Sequence, residues 1–159
     1  MLFRQHHAEL VRLALLLVGD RPTAEDVVQE VFASLQARRD RLRLQGDPLA
    51  YLRAAVLNRG RSVLRRRAVA RRIGSSRDVQ QARANLSAED EVIRSEDRRQ
   101  VLVALAALPG RRREVLVLRY YLGLSEADIA AVLKIRPGTV KSSAARGLAA
   151  LARSLGEES

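Results

Sequence analysis

Leu124-Ser-Glu-Ala-Asp-Ile-Ala-Ala-Val-Leu133, the turn Lys134-Ile-Arg136, and Pro137-Gly-Thr-Val-Lys-Ser-Ser-Ala-Ala-Arg-Gly-Leu-Ala-Ala-Leu151 decide how this chain folds. Ser125, with Asp128 three residues on, marks a helix start, because a short side-chain oxygen accepts from the unpaired first-turn amides. Ile129, Val132 and Leu133 give that helix an apolar face, and Ala130 is small where a second helix must approach. Ile135 can fill the corner of the turn, and Pro137 suits the first position of the next helix, where its missing N–H costs nothing. Val140, Ala144, Leu148 and Leu151 are expected to form the buried stripe of the second helix. Thr139, Lys141, Ser142, Ala145 and Arg146 then fall on the opposite face. Two helices joined this tightly, the second basic outside, form a helix-turn-helix, which seats its second helix in a major groove. Lys141 and Arg146 can donate to guanine acceptors or phosphates, and Ser142 can reach either. An antiparallel helix pair with a solvated polar face is the plainer reading; the tight turn, Pro137 and the basic face favour DNA.

Working outward, the punctuation stays helical. Gly123 stops a preceding helix of about 111–121, and Ser87 with Asp90 opens an earlier one ending near Leu108-Pro109-Gly110. Before Ser87 lies a stretch with Gly74-Ser75-Ser76 and few large apolar residues, which buries too little to fix itself and reads as a tether. Towards the N-terminus, Leu10, Leu13, Ala14, Leu17 and Val18 line one helical face, closed by Gly19. Thr23 with Asp26 resembles a capping box for a second helix to about Arg39. Asp47-Pro48 opens a third helix running to about Arg72. The expected fold is all-α, with two small helical domains on a flexible linker.

Composition agrees. The 159 residues carry 29 basic and 18 acidic side chains, a net +11 that favours a polyanionic partner. The excess is +6 over Met1–Arg67, zero over Ala68–Arg98 and +5 over Arg99–Ser159, so two basic blocks flank a neutral one. Aromatic residues are only 3%, which argues against a β-sandwich or barrel. With no Cys there is neither disulfide nor thiolate metal site, as expected of a cytoplasmic protein. The longest apolar run, Leu13–Val18, is too short to span a bilayer, so no membrane insertion is expected. There is no Ser/His/acid set, Gly-rich phosphate loop or metal-ligand spacing, so no enzyme, cofactor or metal is expected.

The second and third helices have opposite characters. Pro22–Ala37 contains no basic residue, and Glu25, Asp26, Gln29 and Glu30 lie opposite the stripe Val27, Val28, Val31, Phe32 and Leu35. That face is either a solvated surface or a dock for a basic protein. Tyr51–Arg72 holds eight Arg and no acid, a repulsive tract expected to need an external anion such as a phosphate backbone. Asn58, inside it, can read a base edge by paired donor and acceptor.

At these residues the chain resembles the extracytoplasmic-function sigma factors of bacterial RNA polymerase. Ala24-Glu-Asp-Val-Val-Gln-Glu-Val-Phe32, Tyr51-Leu-Arg-Ala-Ala-Val-Leu-Asn58 and Arg65-Arg66-Arg67 are similar to the family's region 2. Leu105–Pro109, Arg119–Leu133 and Gly138-Thr-Val-Lys-Ser142 are similar to its region 4. The resemblance implies a region 2 domain over 1–72, a linker over 73–87 and a region 4 domain over 88–159. It implies that Asp26, Gln29 and Glu30 dock on the β′ clamp helices of polymerase core, with the β subunit a further partner. Asn58, Arg61, Arg65 and Arg66 would recognise and melt the −10 promoter element, and Thr139, Lys141, Ser142 and Arg146 would read the −35 element. An anti-sigma factor is an implied partner, and the protein would be nucleoid-associated when in holoenzyme. The alternatives are a helix-turn-helix regulator that never binds polymerase, and a helical protein binding RNA or an acidic partner.

Several residues depart from the family pattern. Ser143 and Ala145 stand where many relatives carry Arg or a larger side chain, which would thin the −35 contact. Gly147, mid-helix, is expected to cost about 1 kcal/mol relative to Ala. Ser62 replaces a common acid and Tyr51 a common Trp. The chain opens almost directly in the first region 2 helix, which leaves the completeness of Met1 as an N-terminus open.

Overall fold

The apolar period beginning at Leu10 builds α1 (Leu2–Val18) in a computed structural model that describes residues 2–38, 48–72 and 96–157. Leu10, Leu13, Ala14, Leu17 and Val18 are all buried, as the period requires. Gly19 ends the helix with φ 90, a left-handed conformation that glycine adopts without steric cost. The face packs on α2 (Arg21–Ala37) and α3 (Pro48–Arg72). Val27, Val28, Leu52, Val56 and Leu57 close the core, each contributing about 1.5–3 kcal/mol of burial. Gly60 lets α3 approach α1: a Cβ there would lie 3.3 Å from Leu17 Cδ1.

The start of α2 corrects the expected capping box. Asp20, not Thr23, is the N-cap, and its Oδ2 accepts from the Thr23 amide at 3.0 Å and the Thr23 hydroxyl at 2.6 Å. Pro22 sits in the first turn, where its missing N–H costs no helical hydrogen bond. Thr23-Asp26 matches the pattern, but the buried Asp20 carboxylate takes the Thr23 amide and hydroxyl and starts the helix earlier.

The chain divides into two compact units, Met1–Ser75 and Ser76–Ser159. The linker 73–87, the Ser87–Asp90 cap and Asp47 lie outside the described residues. The second unit contains α4 (Glu96–Ala106), α5 (Gly110–Leu116), a π-helical turn π1 (Val117–Tyr121), α6 (Glu126–Leu133) and α7 (Pro137–Glu157). Among the described residues all regular structure is helical.

Around α7 pack α4, α5 and α6, while π1 also touches α6. Val115, Leu116, Val117 and Leu118 are buried in succession, which a helix with a single apolar face cannot achieve. The spacing predicts one α-helix over 111–121; instead the Leu122 amide reaches back five residues to the Val117 carbonyl at 3.2 Å. Arg113 is buried and donates to the carbonyls of Leu105 (2.9 Å), Ala106 (2.6 Å) and Leu108 (3.1 Å). It therefore satisfies the orphan acceptors at the end of α4 rather than a nucleic acid.

The buried stripe of α7 also differs from expectation. Val140, Ser143, Ala144 and Gly147 are buried, whereas Leu148 is 42% exposed. At about 100° per residue, position 147 returns to within roughly 20° of Val140 while 148 drifts some 80° away. Ser143 thus faces the core rather than the exposed face of α7. Gly147 lets α7 approach α5 closely: a Cβ would lie 2.9 Å from Cδ1 of the buried Leu116.

Candidate functional site

In the C-terminal unit the helix-turn-helix is formed as the spacing predicts. Ser125 Oγ accepts from the Asp128 amide at 3.1 Å, opening α6. Ile129, Ala130 and Leu133 are buried against α7, while Val132 and Ile135 are half-buried. Thr139, Lys141, Ser142 and Arg146 are all exposed on one side of the N-terminal half of α7. Among the described residues neither Lys141 nor Arg146 has a carboxylate partner. The Ser142 hydroxyl donates to the Thr139 carbonyl at 3.2 Å, which leaves its oxygen free to accept. The surface offers hydrogen-bonding groups of both senses, and the two cations on it carry no intramolecular ion pair among the described residues.

The N-terminal unit is organised differently. Asp26, Gln29 and Glu30 are exposed on α2. Glu25 is held by Arg21 at 3.0 Å one turn earlier, and Glu30 is paired with Arg59 of α3. Asp26 and Gln29 make no side-chain bond among the described residues, so they are the unclaimed part of the acidic face.

On α3 the expectation of a wholly unpaired arginine tract is corrected. Arg53 pairs with Glu9, Arg59 with Glu30 and Arg67 with Asp20. Arg67 also donates to the Val18 carbonyl at 2.6 Å and to Thr23 Oγ1 at 3.0 Å, tying α3 to the α1–α2 corner. These acids lie 44, 29 and 47 positions away in sequence, so a reading confined to the helix misses them. Arg65 and Arg66 are exposed with no ion pair among the described residues, and Arg61 is half-buried.

Asn58 is exposed at the edge of a groove of about 530 Å³ between α2 and α3, lined by Glu30, Ser34, Arg38, Tyr51 and Arg59 among others. Ser62 also lines it, its hydroxyl donating to the Asn58 carbonyl at 3.2 Å. Glu30 and Asn58, assigned on sequence to different tasks, thus border one groove. Arg38, Tyr51 and Arg59 were missed as lining residues; their only signal was a flanking position, since packing of two helices makes the groove.

The comparisons with known proteins agree with both units. Residues 2–73 match the Sigma-70 region 2 family and residues 98–151 match Sigma-70 region 4. The chain is 38% identical over 144 residues to the ECF RNA polymerase sigma factor SigL of Mycobacterium tuberculosis, covering 89% of this chain and 79% of that protein. It is 35% identical over 155 residues to SigM of the same organism, covering 98% of this chain and 76% of that protein. The sigma factor RpoE of Bartonella quintana, solved in complex with the anti-sigma factor NepR, matches with a TM-score of 0.69 and 25% identity. That match covers 97% of this chain and 94% of the other. With acidic, arginine-bearing and helix-turn-helix elements in this order, the chain belongs to the extracytoplasmic-function sigma factors of the sigma-70 family, the promoter-specificity subunits of bacterial RNA polymerase.

Proposed function

We propose that Asp26, Gln29 and Glu30 dock the protein on the β′ clamp helices of core polymerase, with the β subunit a further contact. The support is that Asp26 and Gln29 stand exposed and unclaimed while neighbouring acids are paired within the fold. Asn58, Arg61, Arg65 and Arg66 act on the −10 element. The groove beside Asn58 has room for an unstacked base, with Tyr51 in its wall, and capture there offsets the few kcal/mol of unstacking. Thr139, Lys141, Ser142 and Arg146 read the −35 element from the major groove. The one observation that carries this reading is the exposed set on α7 behind a well-formed turn, with Lys141 and Arg146 free of ion pairs among the described residues.

No covalent chemistry or cofactor is needed, since recruitment and melting are binding steps. The protein works in the cytoplasm and joins the nucleoid within holoenzyme. An anti-sigma factor covers these same surfaces when the protein is held inactive. Binding of the isolated chain to promoter DNA is weak and steeply salt-dependent.

Promoter-dependent transcription by core polymerase plus the purified chain tests the assignment. Asp26→Arg with Glu30→Arg should cut transcripts at least tenfold, since like charges then face the basic partner. Asp26→Arg alone, which leaves the Glu30–Arg59 pair intact, should show most of that loss; full activity in both variants removes the docking role. Asn58→Ala should impair promoter opening more than duplex binding, and equal losses would reduce Asn58 to a phosphate contact.

A further inference from the structure

Two residues in the turn between α6 and α7 depart from local preferences that Gly19, Gly123, Asp20 and Ser125 satisfy at other helix ends. Lys134 ends α6 at φ 56, ψ 48, and among the described residues it is the one non-glycine with positive φ. Gly19 and Gly123 occupy comparable positions. The Lys134 and Ile135 amides both donate to the Ala130 carbonyl, a helix closure for which glycine or asparagine is the low-strain residue. Arg136 precedes α7, and its carbonyl accepts from the Thr139 and Val140 amides at 2.9 and 3.2 Å. Its side chain has no oxygen to cap those first-turn amides, as Asp20 does for α2 and Ser125 for α6. Its charge also sits at the positive end of the helix dipole, where a cation is disfavoured.

Both positions therefore hold a cation where the backbone prefers something else. Both side chains are exposed, and among the described residues neither makes an ion pair or side-chain hydrogen bond. No acidic residue occurs between Asp128 and Glu157 that could neutralise them along the chain. Local penalties of this kind persist where a function holds them in place. The turn leads directly into the face carrying Thr139, Lys141, Ser142 and Arg146.

We propose that Lys134 and Arg136 form a phosphate clamp on the edge of the major groove that α7 enters. The clamp sets the depth and register at which the reading residues meet the bases, and carries no sequence preference itself. This rests on the reading of α7 as the −35 reader.

The test uses holoenzyme and a duplex spanning the −35 element, with affinity measured across a salt series. Lys134→Gly and Arg136→Ser each install the residue the backbone favours, so the melting temperature of the free chain should hold or rise. Each should nonetheless lower the slope of log affinity against log salt by about 0.9, and the pair by about 1.8. The loss should be the same on a scrambled −35 sequence, and Arg136→Lys should keep the slope. An unchanged slope in the double variant overturns the clamp, and so does a fall in melting temperature that tracks the affinity loss, which would make the role structural. Lys141→Ala with Arg146→Ala separates the two readings. If that variant weakens −35 binding while the turn variants do not, only the clamp is lost; if neither set matters, the reading of α7 itself fails.

Discussion

α3 and α7 are the two long helices assigned to nucleic acid, and they reach that surface in opposite ways. Each buries a glycine where a neighbouring helix comes close, Gly60 against Leu17 and Gly147 against Leu116. On α3, however, eight arginines crowd one helix, and Arg53, Arg59 and Arg67 are claimed by Glu9, Glu30 and Asp20 from the helices beside it. On α7 the cations are few, and Lys141 and Arg146 are left to solvent. Counting charge along a helix therefore overstates what it offers to DNA. A dense tract must first be balanced by the fold, because a half-buried guanidinium without a partner is costly.

The sharpest way to break this comparison is Arg67→Ala. It leaves Asp20, 4% exposed, without its counter-charge, and should cost the N-terminal unit about 3 kcal/mol in urea unfolding. A loss below about 1 kcal/mol would place Arg67 with the DNA-facing arginines and erase the distinction. Gly147→Ala tests the feature the helices share. Helix propensity alone predicts a gain of about 1 kcal/mol, whereas overlap with buried Leu116 predicts a net loss of about 1 kcal/mol. Thermal unfolding of the purified chain gives the sign. Arg65→Ala with Arg66→Ala has the smallest expected effect on folding, within about 0.5 kcal/mol. The same variant should lower the salt slope of promoter binding by roughly 0.7–0.9 per residue, and a slope that stays put would remove Arg65 and Arg66 from the proposed phosphate contacts.

Much of the architecture was legible because it rests on local rules. Gly19, Pro48, Ser125 and Pro137 stand at helix ends for reasons internal to a few residues, and the structure uses each as expected. Local rules also misled where two candidates competed. Thr23-Asp26 fitted a capping box, yet Asp20 takes the cap because Arg67 and Thr23 hold its carboxylate in a buried corner. The stripe of α7 was misplaced by one residue at Leu148, since steps of four drift from the true period of 3.6. The π-helical turn at Val117–Tyr121 has no residue type that announces it.

Sequence alone determined the all-helical class, the division of charge into two basic blocks, the acidic face of α2 and the polar face of α7. The charge blocks follow from composition along the chain, and the two faces from the order of residues within one or two helical turns. Tertiary structure decided which arginines are paired within the fold, that Glu30 and Asn58 border one groove, and that Gly147 lies against Leu116. These depend on groups brought together from dozens of positions apart, and only packing of the helices sets such distances.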